Sequence, residues 1–460
     1  MTPDRAAARS PDTLGRALPS VRVAPPGPAS RRLAQRLRGV ESRNVTYLGD
    51  RWPVFWEEAR GANVRDVDGN VFLDLTGAFG VALLGHRHPG VVAAVAEQND
   101  LLIHGMGDVH PPALKVSYLE RLAERLPWTE SRTVLANSGS EAVEIALKTG
   151  QLVTGRPGIL AFEGSYHGLT LGALAATDRE LFRGPFRERL YPGVAFAPFP
   201  DPLRDGAEAA DRSLVEVERI LAEGTEDGTP VGTVVVEPVQ GRAGARVAPS
   251  GFMARLSRMA KEAGALVVAD EVFTGVGRCG EFLASTRVGL DPDLVCLGKA
   301  LGGGFPLSAC CGPAPLMDRW PESRGEAQHT STFLGHPASC AAGLGVLEAM
   351  EMESTTARVR ILGGRLVREL RGRLAGLPGV AEVRGLGLLL GVELVEGDGM
   401  EPAAGRAVQV AQAALELGVL VLPAGRHGHV VELSPPVDLT DQQIECGVDT
   451  LEQAIRGASS

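Results

Sequence analysis

The sequence predicts an α/β fold: a large, mostly parallel sheet covered by helices on both faces, joined to a smaller α+β domain. Two observations carry that prediction. From about residue 112 to 310, short unbroken apolar runs alternate with amphipathic helical stretches, the pattern of parallel strands buried on both faces. From about residue 345 the character changes to long helical stretches followed by strand-like runs. A chain of 460 residues accommodates two or three domains. The expected division is a disordered tail over 1–30, an N-terminal part of the small domain over 31–90, a large domain over 91–345 and the C-terminal part of the small domain over 346–460.

The elements follow in order. The opening stretch, MTPDRAAARSPDTLGRALPSVRVAPPGPASRR, is rich in Arg, Pro, Ala and Ser and lacks the apolar middle of a secretion signal. A disordered extension or a transit peptide fits it. RRLAQRLRGVES reads as a short amphipathic helix. ANVRDVDGNVFLDLT reads as two strands around the turn pair Asp68-Gly69. GHRHPGVVAAVAEQND opens a helix after Pro89. LKVSYLERLAERL, SEAVEIALKTGQLVTG, LVEVERILAEG and SGFMARLSRMAKEAG are helical, while RTVLAN, GILAFEG, VGTVVVEP, ALVVAD and DLVCLG are strands. AAGLGVLEAMEME and ILGGRLVRELRGRL are helices of the C-terminal part, and GLGLLLGVEL and HVVELS its strands.

Composition excludes several classes of function. Hydrophobic residues make up 44% and charged residues 22%, as in a soluble globular protein; the net charge is −10. No basic patch or arginine-rich arm suits nucleic acid. No apolar run approaches the roughly 20 residues needed to cross a bilayer. The six cysteines, at 279, 296, 310, 311, 340 and 446, form no CxxC pair. They match neither a disulfide framework nor a metal site, and a reducing cytoplasm fits them best.

The chain has 46 basic side chains, of which four are lysine: Lys115, Lys148, Lys261 and Lys299. Arginine thus serves wherever a surface charge suffices, yet DLVCLGKALGGGFP keeps a lysine between a buried strand and a triple glycine. An ammonium can lose its proton and act as a nucleophile; a guanidinium effectively cannot. Desolvation at a strand end lowers the pKa of Lys299 and makes its amine a Schiff-base former. The other three lysines lie in helical patterns and are expected to be solvated.

Three more strands end in residues with chemistry, where open α/β sheets gather ligands. VLANSGSEAVEIALK turns through Asn137-Ser138-Gly139-Ser140 into a helix that Ser140 is placed to cap. Such a loop presents N–H groups to an anion, usually phosphate, and an ordinary capped helix also explains it. VVADEVFTGVGR ends in Asp270-Glu271, which period 2 sends to opposite faces, so only one faces the site. AFEGSYHGLTLGAL puts Tyr166 and His167 in a glycine-flanked loop, suited to stacking on a planar ligand or simply to packing. Together these residues ask for a planar, phosphorylated, aldehyde-bearing cofactor improved by a carboxylate. Pyridoxal 5′-phosphate has all four properties.

From about residue 60 to 445 the chain resembles the class III (ω-type, ornithine/4-aminobutyrate-like) pyridoxal-phosphate aminotransferases of fold type I. The resemblance rests on DVDGNVFLDLTGAFGVALLGHRHPGVV, NSGSEAVEIALK, YHGLTLGALAAT, VVVEPVQG, VVADEVFTGVGRCG, DLVCLGKALGGGFPLSA and HTSTFLGHPASCAAG. It implies that Lys299 forms the internal aldimine and later moves the proton, and that Asp270 holds the pyridine nitrogen. Val272 and Tyr166 would pack on the two ring faces, His167 would lie in the aromatic-His-Gly loop beside the cofactor, and Gly139 and Ser140 would bind the phosphate. Thr332 would reach the phosphate of the other protomer, which implies a homodimer with active sites at the subunit interface. Glu237 would lie near the substrate's amino side. The implied reaction takes an amino group from an amine or amino-acid donor and gives it to a keto or aldehyde acceptor. The cofactor passes through its pyridoxamine form.

The departures from the family pattern matter as much. Phe273 stands where Gln is frequent, Arg242 where an acidic residue is common, and Leu334 and His336 where Gly and Asn are common. Near the C-terminus, HVVELSPPVDL places Glu432 where many members have the arginine that grips a substrate carboxylate. Either Arg426 takes that role, or the substrate presents a neutral or cationic group there. The same lysine, aspartate and phosphate loop would also serve a racemase or epimerase, or a decarboxylase. The retained Lys299 and Asp270 argue against a catalytically dead binding module.

Overall fold

The computed structural model describes residues 13–397 and 399–458. Its centre is a seven-stranded sheet. In spatial order the strands are Ser131–Ala136, Ser308–Pro313, Leu294–Leu297, Leu266–Glu271, Val231–Val236, Gly158–Phe162 and Val194–Ala197. Six run parallel, and Ser308–Pro313 runs antiparallel to both its neighbours. Alternation sorts the side chains between two layers. Val235 and Val268 meet Ala142, Ile145 and Ala146 of the helix Gly139–Thr154 on one face. Val234, Val267 and Ala269 share a core with Phe252 and Leu256 of the helix Phe252–Glu262 on the other.

Five of the seven strands are those expected from unbroken apolar runs. Val194–Ala197 has only four residues at the sheet edge. Ser308–Pro313 reads SACCGP, small residues that bury fully without the β-branched signature of a strand.

The N- and C-terminal parts of the chain interlock. Trp56–Arg60, Asn63–Asp66 and Val71–Asp74 form an antiparallel sheet, which Val419–Leu420 extends in parallel beside Leu73 and Asp74. A second four-stranded sheet follows the order Val380–Leu386, Leu389–Leu394, Val430–Leu433, Leu422–Ala424. Gly69 takes φ 86° in the turn expected at Asp68-Gly69. Among the described residues no helix is long and apolar enough to cross a membrane.

The tail expected over 1–30 needs correction. Residues 1–12 lie outside the described residues, but 13–30 are packed. Leu14 is buried, Ser20 pairs with Val71 through backbone bonds of 2.9 and 3.0 Å, and the helix Pro28–Arg38 begins inside the segment. Ser30 N–H donates to Asp68 at 2.9 Å. These contacts are isolated and non-periodic, so no sequence pattern announces them.

One buried cation stitches the terminal parts to the large sheet. Arg278 is 0% exposed. It donates to the carbonyls of Gly80 at 3.0 Å, Leu388 at 3.3 Å, Ser434 at 3.0 Å and Pro435. Burial pushes its pKa down to about 10. Arg278→Met keeps much of the volume but strands these carbonyls. We expect a loss of about 3–5 kcal/mol, read as a lower midpoint in urea unfolding.

Candidate active site

A cavity of about 570 Å³ opens at the carboxyl ends of the strands. It gathers Gly139, Ser140, Tyr166, His167, Glu237, Asp270, Val272 and Lys299, residues drawn from segments far apart in sequence. A cleft of about 670 Å³ at the amino end, beside Pro230 and Val231, is lined by Arg156, Glu218 and Glu262 and holds no nucleophile.

Lys299 begins a short 3-10 turn, Lys299–Gly302, directly after its strand. Its φ of 45° is left-handed, strained backbone of the kind concentrated at functional sites. Gly298 is required beside it, because a Cβ there would fall 2.9 Å from Ser308 Oγ and 3.2 Å from Val272 Cγ1. Burial lowers the Lys299 pKa, while the charges of Asp270, Glu432 and Glu237 oppose that shift. Its Nζ sits 3.9 Å from the centre of the Phe273 ring, a cation–π contact. Phe273 in turn lies between Gly80 and Gly241, where a Cβ on either glycine would overlap the ring. Gly241→Ala should therefore push Phe273 out of register with Lys299. The expected cost is about 1–3 kcal/mol of overpacking, measured as a lower melting temperature, with reduced turnover.

Asp270 and Glu271 separate as period 2 demands. Asp270 is 4% exposed and lines the cavity. Its Oδ2 lies 2.7 Å from His167 Nδ1, and its Oδ1 accepts the Val272 N–H at 3.1 Å. Burial alone would lower the His167 pKa, but the Asp270 hydrogen bond and charge, with Glu237, raise it. Glu271 points to the other face and accepts from Thr274 Oγ1, Ala284 N–H, Ser285 N–H and Ser285 Oγ, a structural role. Glu237 receives the N–H groups of Tyr166 and Gly241, both at 3.0 Å. Burial pushes its pKa up to about 7.

The helix Gly139–Thr154 is capped by Ser138, whose side chain accepts the Glu141 N–H at 3.3 Å; the cap expected at Ser140 moves back two residues. That frees the Ser140 hydroxyl to bond Thr170 Oγ1 at 2.7 Å and to accept the Thr170 N–H at 3.0 Å. The first-turn N–H groups of a helix have no intrahelical partner, and Gly139 and Ser140 line the cavity. A Cβ on Gly139 would come 2.7 Å from Val272 Cγ1, so glycine lets the helix start close to Val272.

The remaining predicted residues lie outside the cavity lining. Thr332 is exposed. Arg426 is exposed and ion-paired to Asp178 at 2.8 Å, in a neighbouring cleft. Glu432 is 1% exposed on the strand Val430–Leu433, and its Oε2 has no hydrogen-bond partner among the described residues. Lys115 is half-buried rather than solvated, donating to Gly107 O at 2.8 Å. Lys261 pairs with Asp291 at 2.6 Å. The His167–Asp270 bond was not anticipated, because it joins residues 103 positions apart.

Residues 47–455 match the family described as aminotransferase class-III. The chain belongs to that family. The 5-aminovalerate aminotransferase DavT of Pseudomonas aeruginosa is 36% identical over 411 residues, 88% of this chain and 94% of that protein. The alanine/serine racemase of Pyrococcus horikoshii is 34% identical over 450 residues, 95% and 93% of the two chains. An amine transaminase from an uncultivated Pseudomonas species, solved with pyridoxal phosphate bound, superposes with a TM-score of 0.81 at 29% identity, covering 91% of this chain and 98% of that one. This class III aminotransferase has the fold type I architecture and uses pyridoxal 5′-phosphate to pass an amino group from an amine donor to a keto acceptor. The cavity's own chemistry fits that cofactor: an amine for its aldehyde, a buried carboxylate for its pyridine nitrogen, a helix start with hydroxyls for its phosphate, and a glycine that lets Val272 approach.

Proposed function

We propose that Lys299 and Asp270 are the catalytic pair of this aminotransferase and that a homodimer completes each site. The observation that carries the reading is that a desolvated amine and a buried carboxylate line one cavity beside a helix N-terminus. Pyridoxal phosphate, when bound, supplies an aldehyde that captures amines and a ring that stores the electrons of a broken C–H bond. Gly139 and Ser140 would hold the phosphate, and the exposed Thr332 would reach the site of the partner subunit. Val272 and Tyr166, which line the cavity, would pack against the ring. Asp270 would hold a proton on the pyridine nitrogen, and His167, 2.7 Å away, keeps that carboxylate in place. Lys299 Nζ would take the proton from the substrate carbon and deliver it to the cofactor's aldehyde carbon, and would run that transfer in reverse for the acceptor. Glu237 pins the loops of Tyr166 and Gly241 beside the substrate's amino side. Its pKa near 7 lets it hold or release a proton under ordinary conditions. A cytoplasmic setting accords with the six free cysteines, five of them buried and Cys446 half-buried.

Single amine donors mixed with the enzyme provide the test. Loss of the cofactor's visible absorbance, matched one for one by a keto product, supports transamination. Loss of the donor's optical activity with no keto product overturns it in favour of racemisation, the activity named for the Pyrococcus horikoshii relative.

A further inference from the structure

The cavity holds a cation that the proposed mechanism leaves unused. Arg242 lines it with Lys299, Tyr166 and Phe273. Its backbone is fixed: the carbonyl accepts from Arg179 Nη1 and from the Gly425 N–H, both at 3.0 Å. Its guanidinium is not. The one hydrogen bond it makes among the described residues is a long contact from Nη1 to Pro423 O at 3.5 Å, and it joins no ion pair there. The other candidate, Arg426, is committed to Asp178 outside the cavity. A guanidinium offers five donors in a planar fork that matches a carboxylate, and Arg242 presents that fork to the cavity largely unengaged.

Buried in the neighbouring sheet is a charge of the opposite sign. Glu432 carries a carboxylate oxygen without a hydrogen-bond partner, and the leading cationic influences on it are Arg242 and then Lys299. A buried carboxylate that lacks hydrogen bonds is costly, so it draws on whatever cation stands nearby.

Building on the aminotransferase reading, we propose that Arg242 is the carboxylate anchor of the substrate site and that Glu432 is the counter-charge with which the substrate's carboxylate competes. A substrate carboxylate docks on the guanidinium fork and competes there with the longer-range attraction of Glu432. A substrate without a carboxylate leaves Arg242 balanced by Glu432. Arg242, not the residue at 432 or 426, then sets which end of a keto acid or amino acid points away from Lys299.

The test measures binding and turnover separately on the holoenzyme. Propanoate and glutarate carry carboxylates but neither an amine nor a carbonyl, so calorimetry reads their binding without reaction. Arg242→Gln should weaken both by about 10- to 100-fold, the worth of charge-assisted hydrogen bonds. Arg242→Lys should recover part of the loss, since it restores the charge but not the fork. Glu432→Gln should tighten both; absence of tightening removes Glu432 from the proposal. In turnover, Arg242→Gln should lose far more kcat/KM for pyruvate than for an aldehyde acceptor that lacks a carboxylate. Equal losses for the two acceptors, or weakened carboxylate binding in Arg426→Gln in place of Arg242→Gln, overturn the anchor. Carboxylates that bind through Arg242 to an enzyme that transaminates no amine would overturn the transaminase reading and leave the anchor standing.

Discussion

Lys299→Ala should lower turnover by roughly 10⁴-fold or more, the upper range of what one positioned proton carrier contributes, with the protein still folded. The two halves of that expectation have separate causes. The amine makes a cation–π contact with Phe273 and no hydrogen bond among the described residues, and burial disfavours its charge. Its removal therefore costs little stability, within about 1 kcal/mol. The catalytic cost is large because among the described residues no other lysine lines the cavity. Lys115 is partly desolvated but bonded to Gly107, and Lys148 and Lys261 lie on helices. Hydride reduction followed by mass spectrometry should place the cofactor on residue 299 in the native enzyme and nowhere in the variant. An adduct on Lys115 would sink the assignment. The backbone supplies a second check. Lys299 occupies a left-handed conformation with φ 45°, which costs any side-chain-bearing residue about 1 kcal/mol relative to glycine. Lys299→Gly should therefore melt above Lys299→Ala while being equally inactive.

What the sequence made legible follows the range of the interactions involved. Leu294–Leu297 and Val231–Val236 announce themselves because burial on both faces demands an unbroken apolar run. Asp270 and Lys299 are legible for a related reason: each stands at the end of such a run, where a buried strand opens onto the cavity. Ser308–Pro313 hides because its neighbours demand small side chains, a constraint written in other segments. The sequence does not separate Ser138 from Ser140 as the helix cap, because the two have the same chemistry and only the backbone turn decides which of them faces Glu141. Phe273 registers in the sequence as a departure from the family pattern. Its contact with Lys299 depends on Gly80 and Gly241, one far upstream and one on another loop. The packed arm from Thr13 to Ser30 depends on partners at Val71 and Asp68, which no local periodicity encodes. Arg242 and Glu432 each look like an isolated exception in the sequence, and the fold brings them within range of each other's charge.

Asp270→Asn is the second large effect, and its sign can be worked out in advance. The substitution keeps an acceptor for the Val272 N–H but removes the charge that faces His167 at 2.7 Å. On the role proposed for Asp270, a pyridine nitrogen would lose its counter-ion with that charge, and proton transfer at the substrate carbon should slow by about 10²- to 10⁴-fold with the cofactor still bound. The same change alters stability in a pH-dependent way. In the native protein burial acts to lower the His167 pKa, but Asp270 and then Glu237 outweigh it, and the net shift is upward from 6.5. A histidine whose folded pKa is raised contributes stability that is complete below its unfolded value near 6.5 and is lost as pH climbs through the higher folded value. In Asp270→Asn the main raising influence is gone, burial prevails, and His167 is carried neutral. The variant should thus be least stable relative to the native protein below about pH 6.5, and the gap should narrow as pH rises. Urea unfolding at a series of pH values, run beside turnover on the same samples, reads both effects. A gap that widens with pH would mean that His167 is neutral in the native site, and would overturn the charge assigned to it here.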